Sequence, residues 1–138
     1  FYAVSAYPAG VLSDKANRAT VMIVGLVFLL VADLCLALSP NIYGILVGAA
    51  LWGLHMGFTQ GLLATLVADA APAELRGTAF GVFNLITGVV LLLASVVAGA
   101  LWDVSGPQAT FFAGAVFTII TLVGLFPLRH RLDGRKPA

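Results

Sequence analysis

The stretch ATVMIVGLVFLLVADLCLAL, residues 19–38, decides the class of fold. Asp33 is its only charged side chain. A helix of about 20 residues rises about 30 Å, which is the thickness of the hydrocarbon core of a bilayer. The apolar residues do not alternate with a period of two, as a strand of a membrane barrel would require. The segment therefore predicts a membrane-spanning α-helix.

Three further apolar runs of similar length follow, at residues 42–68, 78–101 and 109–128. Residues 1–12 look like the closing turns of another span whose beginning is absent. Prolines, which interrupt helices, punctuate the boundaries between the runs: Pro40, Pro72 and Pro107. The sequence predicts an all-α, polytopic transmembrane helical bundle with four full spans and one truncated span.

The composition excludes most soluble functions. The chain has 138 residues, of which 61% are hydrophobic and 9% are charged, whereas soluble domains carry about 25% charged residues. The net charge of +1 argues against nucleic-acid binding. A single cysteine, Cys35, provides neither a disulfide framework nor a metal cluster. We therefore expect the lipid bilayer as the main solvent, with no nucleic-acid partner, no metal and no cofactor.

The basic residues predict the orientation of the chain. If the spans alternate in direction, the connection 13–18, the connection 69–77 and the tail 129–138 all lie on one side. These segments contain every basic residue of the chain: Lys15, Arg18, Arg76, Arg129, Arg131, Arg135 and Lys136. The positive-inside rule makes that side cytoplasmic. We expect a multi-pass integral protein of a bacterial cytoplasmic (inner) membrane, with its basic loops and C-terminus in the cytoplasm.

The first cytoplasmic turn combines glycine, an acid and two bases over residues 10–18, GVLSDKANR. Gly10 allows two helix ends to approach closely, and Asp14 can face a helix N-terminus, where the helix dipole favours a negative charge. Lys15 and Arg18 lie at the interface, within reach of Asp14 and of anionic lipid headgroups. A plain positive-inside loop explains the bases but explains the glycine and the acid less well.

Three motifs together resemble the major facilitator superfamily of secondary transporters. The turn at 10–18 is similar to the family pattern G-x-L-x-D-[RK]-x-x-[RK]-[RK], although residue 19 is alanine where the family often has a further base. The connection 69–81, DAAPAELRGTAFG, and the segment 99–106, GALWDVSG, resemble two later motifs of the family. Their order and spacing along the chain are also similar to those of the family.

The resemblance implies a partial fold of this family, from the end of helix eight to helix twelve. The span after Arg76 lacks the proline expected in the N-terminal half of an antiporter. The implied partner is the missing N-terminal half of the same transporter. The implied activity is alternating-access transport of a small-molecule substrate, as uptake or efflux, with protons as a candidate coupling ion. Four residues would form the gating motif: Gly10, Asp14, Lys15 and Arg18.

Polar side chains in the span 42–68 are the main candidates for a transport site. Trp52, His55 and Thr59 lie within about 60° on one helical face, while Gly53, Gly57 and Gly61 form a separate packing stripe. Helix ten of the family lines the central cavity, so the resemblance makes His55 the first candidate for substrate or proton contact. Around it lie Trp52, Thr59 and Gln60. The alternative is that His55 hydrogen-bonds a neighbouring helix.

Two other spans contribute weaker candidates. The span 78–101 carries one face that we interpret mainly as a helix-packing surface, with Asn84 as a cavity candidate: Gly81, Asn84, Gly88, Ser95 and Gly99. Asp33 is a secondary coupling candidate, although it lies about five residues from the outer end of its helix and could reach the interface. Asp69 is expected to meet Arg76 or a helix N-terminus.

Two other functional classes remain as alternatives. A membrane scaffold or sensor that does not transport would use packing glycines equally well. An intramembrane enzyme is disfavoured because the sequence has no histidine-rich cluster, no G-x-S-x-G motif and no metal-ligand spacing. The candidate cavity face has no lysine or arginine, which argues against a strongly anionic substrate.

Overall fold

A computed structural model of the protein describes Tyr7 and residues 17–133, with side chains up to residue 127. Its helices are α1 (Arg18–Leu38), α2 (Ile42–Ala70) and α3 (Arg76–Asp133), with a 3₁₀ turn at Ala73–Leu75. No strand occurs in this part of the chain. The predicted all-α membrane helical class is confirmed.

Asparagine side chains define where the first two helices begin. The Asn17 side-chain oxygen accepts a hydrogen bond from the Ala19 N–H (3.1 Å), and that of Asn41 accepts one from the Gly44 N–H (3.0 Å). Such caps satisfy backbone donors that have no partner within the helix. At the end of α1 the Ser39 N–H donates to the Cys35 carbonyl, and Pro40 follows. These local signals produce the short connection between α1 and α2.

Helix α3 consists of two arms that meet at Gly106. That residue has φ 83° and ψ 173°, a conformation that L-residues other than glycine rarely adopt. Pro107 then starts the second arm, at a position where its missing N–H breaks no helical hydrogen bond. We call residues 76–105 the first arm and residues 107–133 the second arm.

Contacts across Gly106 show that the chain changes direction sharply there. The Thr110 hydroxyl lies 3.4 Å from the Ala98 carbonyl oxygen, and the rings of Trp102 and Phe111 are 6.3 Å apart. In a straight helix, residues twelve apart would be separated by about 18 Å. The kink lies between the two segments predicted as separate spans, and the helix continues through Pro127 to residue 133. The number of spans stays a prediction.

Within the described residues, length and composition identify three helices that are able to cross a membrane: Arg18–Leu38, Ile42–Ala70 and Ala73–Pro127. The third range includes both arms of α3 up to Pro127 and is about 55 residues long, which is far more than the roughly 20 needed for one crossing. The sharp turn at Gly106 gives this range two arms of crossing length.

Helix α1 lies between its neighbours and contacts both α2 and α3, whereas α2 and α3 contact each other much less. Its buried face is made of small residues, among them Val21, Gly25 and Ala32, which recur at helical spacing. Small residues allow backbones to approach closely, which is how helices associate in lipid, where apolar burial gives no driving force. Helix α1 is therefore the centre of the described bundle.

Three glycines mark the closest contacts between helices. A Cβ added at Gly25 would lie 2.8 Å from the Thr59 methyl group, and one at Gly48 would lie 2.7 Å from Leu36. A Cβ at Gly114 of the second arm would lie 2.9 Å from an Asp33 carboxyl oxygen. Each distance is shorter than ordinary carbon contacts of about 3.5–4.0 Å. These positions therefore require glycine for packing rather than for an unusual backbone conformation.

The first arm is exposed along most of its length. Apolar side chains such as Leu85 and Leu92 are more than half exposed, which is ordinary for a surface that faces lipid. The face predicted to pack another helix includes Gly81, Gly88 and Gly99, and a Cβ added at any of them meets no atom within 4 Å. Within the described residues nothing covers these glycines, so the packing role of this face stays a prediction.

Candidate functional site

The candidate site lies where the middle of α2 crosses α1. His55 is about 13 residues from the first residue of α2, or about 20 Å along the helix axis. Its neighbour in α1 is Gly25, about 10 Å from the start of that helix. The imidazole therefore lies between the two apolar helices, far from the ends of both.

A hydrogen bond fixes the orientation of the His55 ring. The Nδ1 atom lies 2.9 Å from the Gly25 carbonyl oxygen. A carbonyl oxygen only accepts hydrogen bonds, so Nδ1 is the nitrogen that carries the proton. In the neutral ring Nε2 is then an acceptor, and in the charged ring it is a second donor. One nitrogen of His55 thus holds two helices together, while the other is chemically suited to bind a proton or a substrate donor.

Thr59 completes the polar part of the crossing. It is buried, and its hydroxyl donates to the His55 carbonyl oxygen at 2.9 Å, one turn earlier in α2. This bond satisfies the hydroxyl within its own helix and leaves the methyl group against Gly25. Thr59 is therefore a packing partner of α1 that also fixes the local backbone beneath His55.

Aromatic side chains cover the same crossing. The rings of Phe28 and Phe58 are 5.6 Å apart and tilted by 51°, and the Phe58 Cβ lies 3.2 Å from a Cβ added at Gly25. Tilted pairs at this distance are favourable aromatic contacts. The sequence interpretation missed Gly25, Phe28 and Phe58 as parts of the site. One available signal was that Gly25 is the only glycine in residues 19–38.

The other predicted cavity residues are not brought to α1. Trp52 is 51% exposed, and Gln60 is also exposed on α2. Asn84 is exposed on the first arm of α3. The structure thus brings together His55 and Thr59 and leaves these three side chains on outer surfaces of the described bundle. Their assignment to a cavity stays a prediction.

Asp33 lies eight residues after Gly25 in α1, about 12 Å further along the helix axis and about 80° around it from the His55 contact. It is partly buried, and its carboxyl group lies against Gly114 of the second arm. Among the described residues, no group of three or more histidine, cysteine or acidic side chains is arranged to hold a metal ion. Asp33 and His55 therefore belong to two separate helix contacts that share α1.

An ion pair joins the start of α1 to the end of α2. The Arg18 guanidinium, at the start of α1, lies 2.6 Å from the Asp69 carboxylate, near the end of α2. The sequence interpretation instead paired Asp69 with Arg76 or a helix N-terminus. Of the predicted gating motif, the structure describes Arg18. The other members, Gly10, Asp14 and Lys15, lie outside the described residues.

An open apolar groove of about 510 Å³ lies between the end of α2 and the start of α3. Its walls include Val67, Pro72, Leu75 and Phe83, and none of its lining residues is charged. The groove does not include His55 or the other candidate residues. It is therefore separate from the candidate transport site.

Comparison with known proteins finds several related transporters. Over 121 residues the chain is 34% identical to an uncharacterised MFS-type transporter of Methanocaldococcus jannaschii. It is 31% identical over 124 residues to a glucose transporter of Staphylococcus epidermidis, and 28% identical over 121 residues to the class H tetracycline resistance protein of Pasteurella multocida. These alignments cover 88%, 89% and 88% of this chain, respectively.

The chain spans about 30% of the length of these curated relatives. No solved structure gives a significant match. The model of the Major Facilitator Superfamily matches residues 1–138. Together with the long apolar helices, this match identifies an integral multi-pass membrane protein. The chain therefore belongs to the Major Facilitator Superfamily, a family of transporters and not of enzymes, as its three motifs indicated.

Proposed function

We propose that the full-length protein is a secondary transporter that moves a small molecule across the membrane by alternating access, with His55 as its substrate or proton contact. Its relatives include a glucose transporter and a tetracycline resistance protein, which supports a small-molecule substrate. The polar groups offered by α2 include imidazole, indole and amide but no lysine or arginine, which favours a neutral or cationic substrate.

The main support for this proposal is the fixed orientation of His55 at the contact between two apolar helices, far from their ends. A transporter site near the bilayer midplane needs a polar group whose position is set by the protein before the ligand binds. The hydrogen bond from Nδ1 to Gly25 sets that position and leaves Nε2 for the ligand. A packing role and a binding role for His55 are therefore compatible, because they use different nitrogens.

The ion pair between Arg18 and Asp69 supports a gate at the cytoplasmic ends of α1 and α2. Both side chains are partly exposed, so the pair is worth about 0–1 kcal/mol and can break during a transport cycle. We place the predicted turn of Gly10, Asp14 and Lys15 at the same gate. In this mechanism the pair forms in one of the two access states and is broken in the other.

The proposed location is the bacterial cytoplasmic membrane, with the Arg18–Asp69 end of the bundle in the cytoplasm. At this end of the bundle α1 begins with Arg18 and α3 begins with Arg76, whereas the connection at 39–41 contains no basic residue. This asymmetry agrees with the positive-inside rule. Labelling of single cysteines introduced at Glu74 and at Asn41 tests it, because the two must react from opposite sides of sealed vesicles.

The decisive experiment compares His55→Asn with His55→Ala in the full-length protein. An asparagine side-chain N–H can replace Nδ1 in the bond to Gly25, but it supplies neither Nε2 nor a group that titrates near neutral pH. We expect His55→Asn to keep the thermal stability of the wild type and to lose transport. His55→Ala is expected to lose both. If His55 only packs helices, His55→Asn transports normally.

Transport is measured in proteoliposomes with an imposed proton gradient, using radiolabelled glucose and tetracycline as probes. A pH-sensitive dye inside the vesicles reports proton movement caused by either probe. The matched control is Thr65→Ala, since the Thr65 hydroxyl donates to Gly61 within α2 and is exposed. This control is expected to leave flux unchanged.

A membrane scaffold or sensor is the second candidate function, because glycine contacts such as Gly25 with Thr59 would serve it equally well. It predicts correct membrane insertion and normal stability without flux of any solute. Measuring the amount of each solute in cells that express the full-length protein, with and without a protonophore, distinguishes a transporter from a scaffold. Accumulation or depletion of even one solute that depends on His55 excludes the scaffold.

A further inference from the structure

Asp33 occupies a second contact of α1, which the His55 site does not use. It is the only acidic residue of α1 and lies about 12 Å along the helix from Gly25, toward the outer end. Its two carboxyl oxygens lie 2.9 and 3.3 Å from the position that a Cβ would take at Gly114. The carboxyl group therefore rests directly on the glycine backbone of the second arm.

Among the residues whose side chains the structure describes, no positive charge faces Asp33 from the helices packed around it. Residues 107–127 of the second arm contain no titratable side chain. In α2, His55 is bonded to Gly25, Asp69 is paired with Arg18 at the far end, and Tyr43 is exposed. An ionised carboxylate against an uncharged helix in lipid is costly, whereas the protonated acid packs as a neutral group.

We propose that Asp33 and Gly114 form a proton-binding site between α1 and the second arm of α3. The Asp33 carboxylate takes up one proton from the outer aqueous phase, and the resulting carboxylic acid packs on Gly114. When the proton leaves to water, the charged carboxylate draws solvent into the contact and loosens the two helices. No other bond is made or broken in this step.

The position of Asp33 suits exchange with the outer side. Asp33 lies five positions before Leu38, the last residue of α1, which is about 7.5 Å from that helix end. Because α1 also holds His55 through Gly25, a change at the Asp33 contact alters the helix that positions the imidazole. The role of this proton in coupling rests on the proposed transport function, but proton binding itself does not.

The test is infrared difference spectroscopy of the reconstituted full-length protein during a pH titration. A protonated carboxyl group has its own C=O stretching band. We expect one such band in the wild type at neutral pH, disappearing as the pH rises, and its absence in Asp33→Asn. The control variant Glu74→Gln removes an exposed acid at the cytoplasmic turn and must leave the band unchanged. A band that persists in Asp33→Asn, or is missing from the wild type, overturns the proposal.

Variants of the second arm test the contact without changing the acid. Gly114→Ala places a methyl group where the Asp33 oxygens lie, so it must shift or abolish the band. Gly124→Ala is the matched control on the same arm, because its added Cβ meets no described atom within 4 Å. An unchanged band in Gly114→Ala overturns the contact. If Asp33→Asn does not fold, Gly114→Ala and Gly124→Ala still test the contact between Asp33 and the second arm.

Failure of this site and failure of the transport proposal give different results. If Asp33 produces the band but no probe moves in the vesicles, the proton site stands and the transport function fails. If probes move but the spectra of wild type and Asp33→Asn are the same, transport stands and the proton site fails. If both hold, Asp33→Asn should lose proton-driven accumulation and retain exchange of unlabelled for labelled probe.

Discussion

Replacing Gly25 with alanine should separate α1 from α2 and disable His55. The added Cβ would lie 2.8 Å from the Thr59 methyl group and 3.2 Å from the Phe58 Cβ. Ordinary carbon contacts are about 3.5–4.0 Å, so the helices must move apart by several tenths of an ångström or more. The bond between His55 and the Gly25 carbonyl, now 2.9 Å, would lengthen with them.

The magnitude follows from three contributions. Overpacking in a close contact costs about 1–3 kcal/mol. Replacing glycine by alanine inside a helix offsets about 1 kcal/mol of this. Weakening the His55 hydrogen bond costs about 1 kcal/mol. We therefore expect Gly25→Ala to lower the free energy of unfolding by about 2 kcal/mol.

The assay is reversible unfolding of the purified full-length protein in mixed micelles, followed by tryptophan fluorescence. Thr59→Ser removes the methyl group and keeps the hydroxyl, so the double variant Gly25→Ala/Thr59→Ser should recover most of the loss. Gly61→Ala is the control, since its added Cβ meets no described atom within 4 Å. Equal stability of Gly25→Ala and Gly61→Ala, or no recovery in the double variant, would refute the close contact as the cause.

Two further predictions concern the ends of the helices. Arg18→Ala and Asp69→Asn should each lower stability by less than about 1 kcal/mol. In the gating mechanism that we propose, each should also change the ratio of the two access states by up to about fivefold, as measured by cysteine accessibility at this end of the bundle. Their double variant should add little to either change. Gly106→Ala should destabilise the protein by about 1–3 kcal/mol through backbone strain, because φ is 83°, which alanine rarely adopts. Crowding does not contribute, since no described atom lies within 4 Å of an added Cβ. Gly99→Ala, in the first arm, is its control and should not destabilise the protein in the same unfolding assay.

The sequence predicted the class of fold because that class depends on properties of single segments. A run of about 20 apolar residues has to form a helix in lipid, where every backbone group must be bonded internally. The interruptions of the helices are also determined locally, because Pro40 and the Gly106–Pro107 pair change the backbone conformation of adjacent residues. The family could also be recognised from the sequence, because its motifs are short and lie in or next to the connections between spans.

The contacts between helices were not predictable in the same way. Sequence spacing showed that His55 and Thr59 share a helical face, but not that this face meets Gly25, which lies 30 residues from His55 in the chain. Likewise, Arg18 and Asp69 were both identified as charges at a cytoplasmic end, but which ends meet depends on the tertiary arrangement. Periodicity identifies faces, and the partner of each face is set by packing.

The glycine contacts explain why polar groups and packing occur at the same points of this bundle. In lipid, helices associate through close contact and hydrogen bonds rather than through apolar burial, so a glycine both brings backbones together and exposes its carbonyl. Gly25 does both for α2, and His55 uses that carbonyl. Gly114 provides the corresponding space for Asp33. In the transport mechanism that we propose, a proton or ligand that binds at His55 or Asp33 changes how tightly α1 packs, and alternating access requires this kind of link between binding and helix movement.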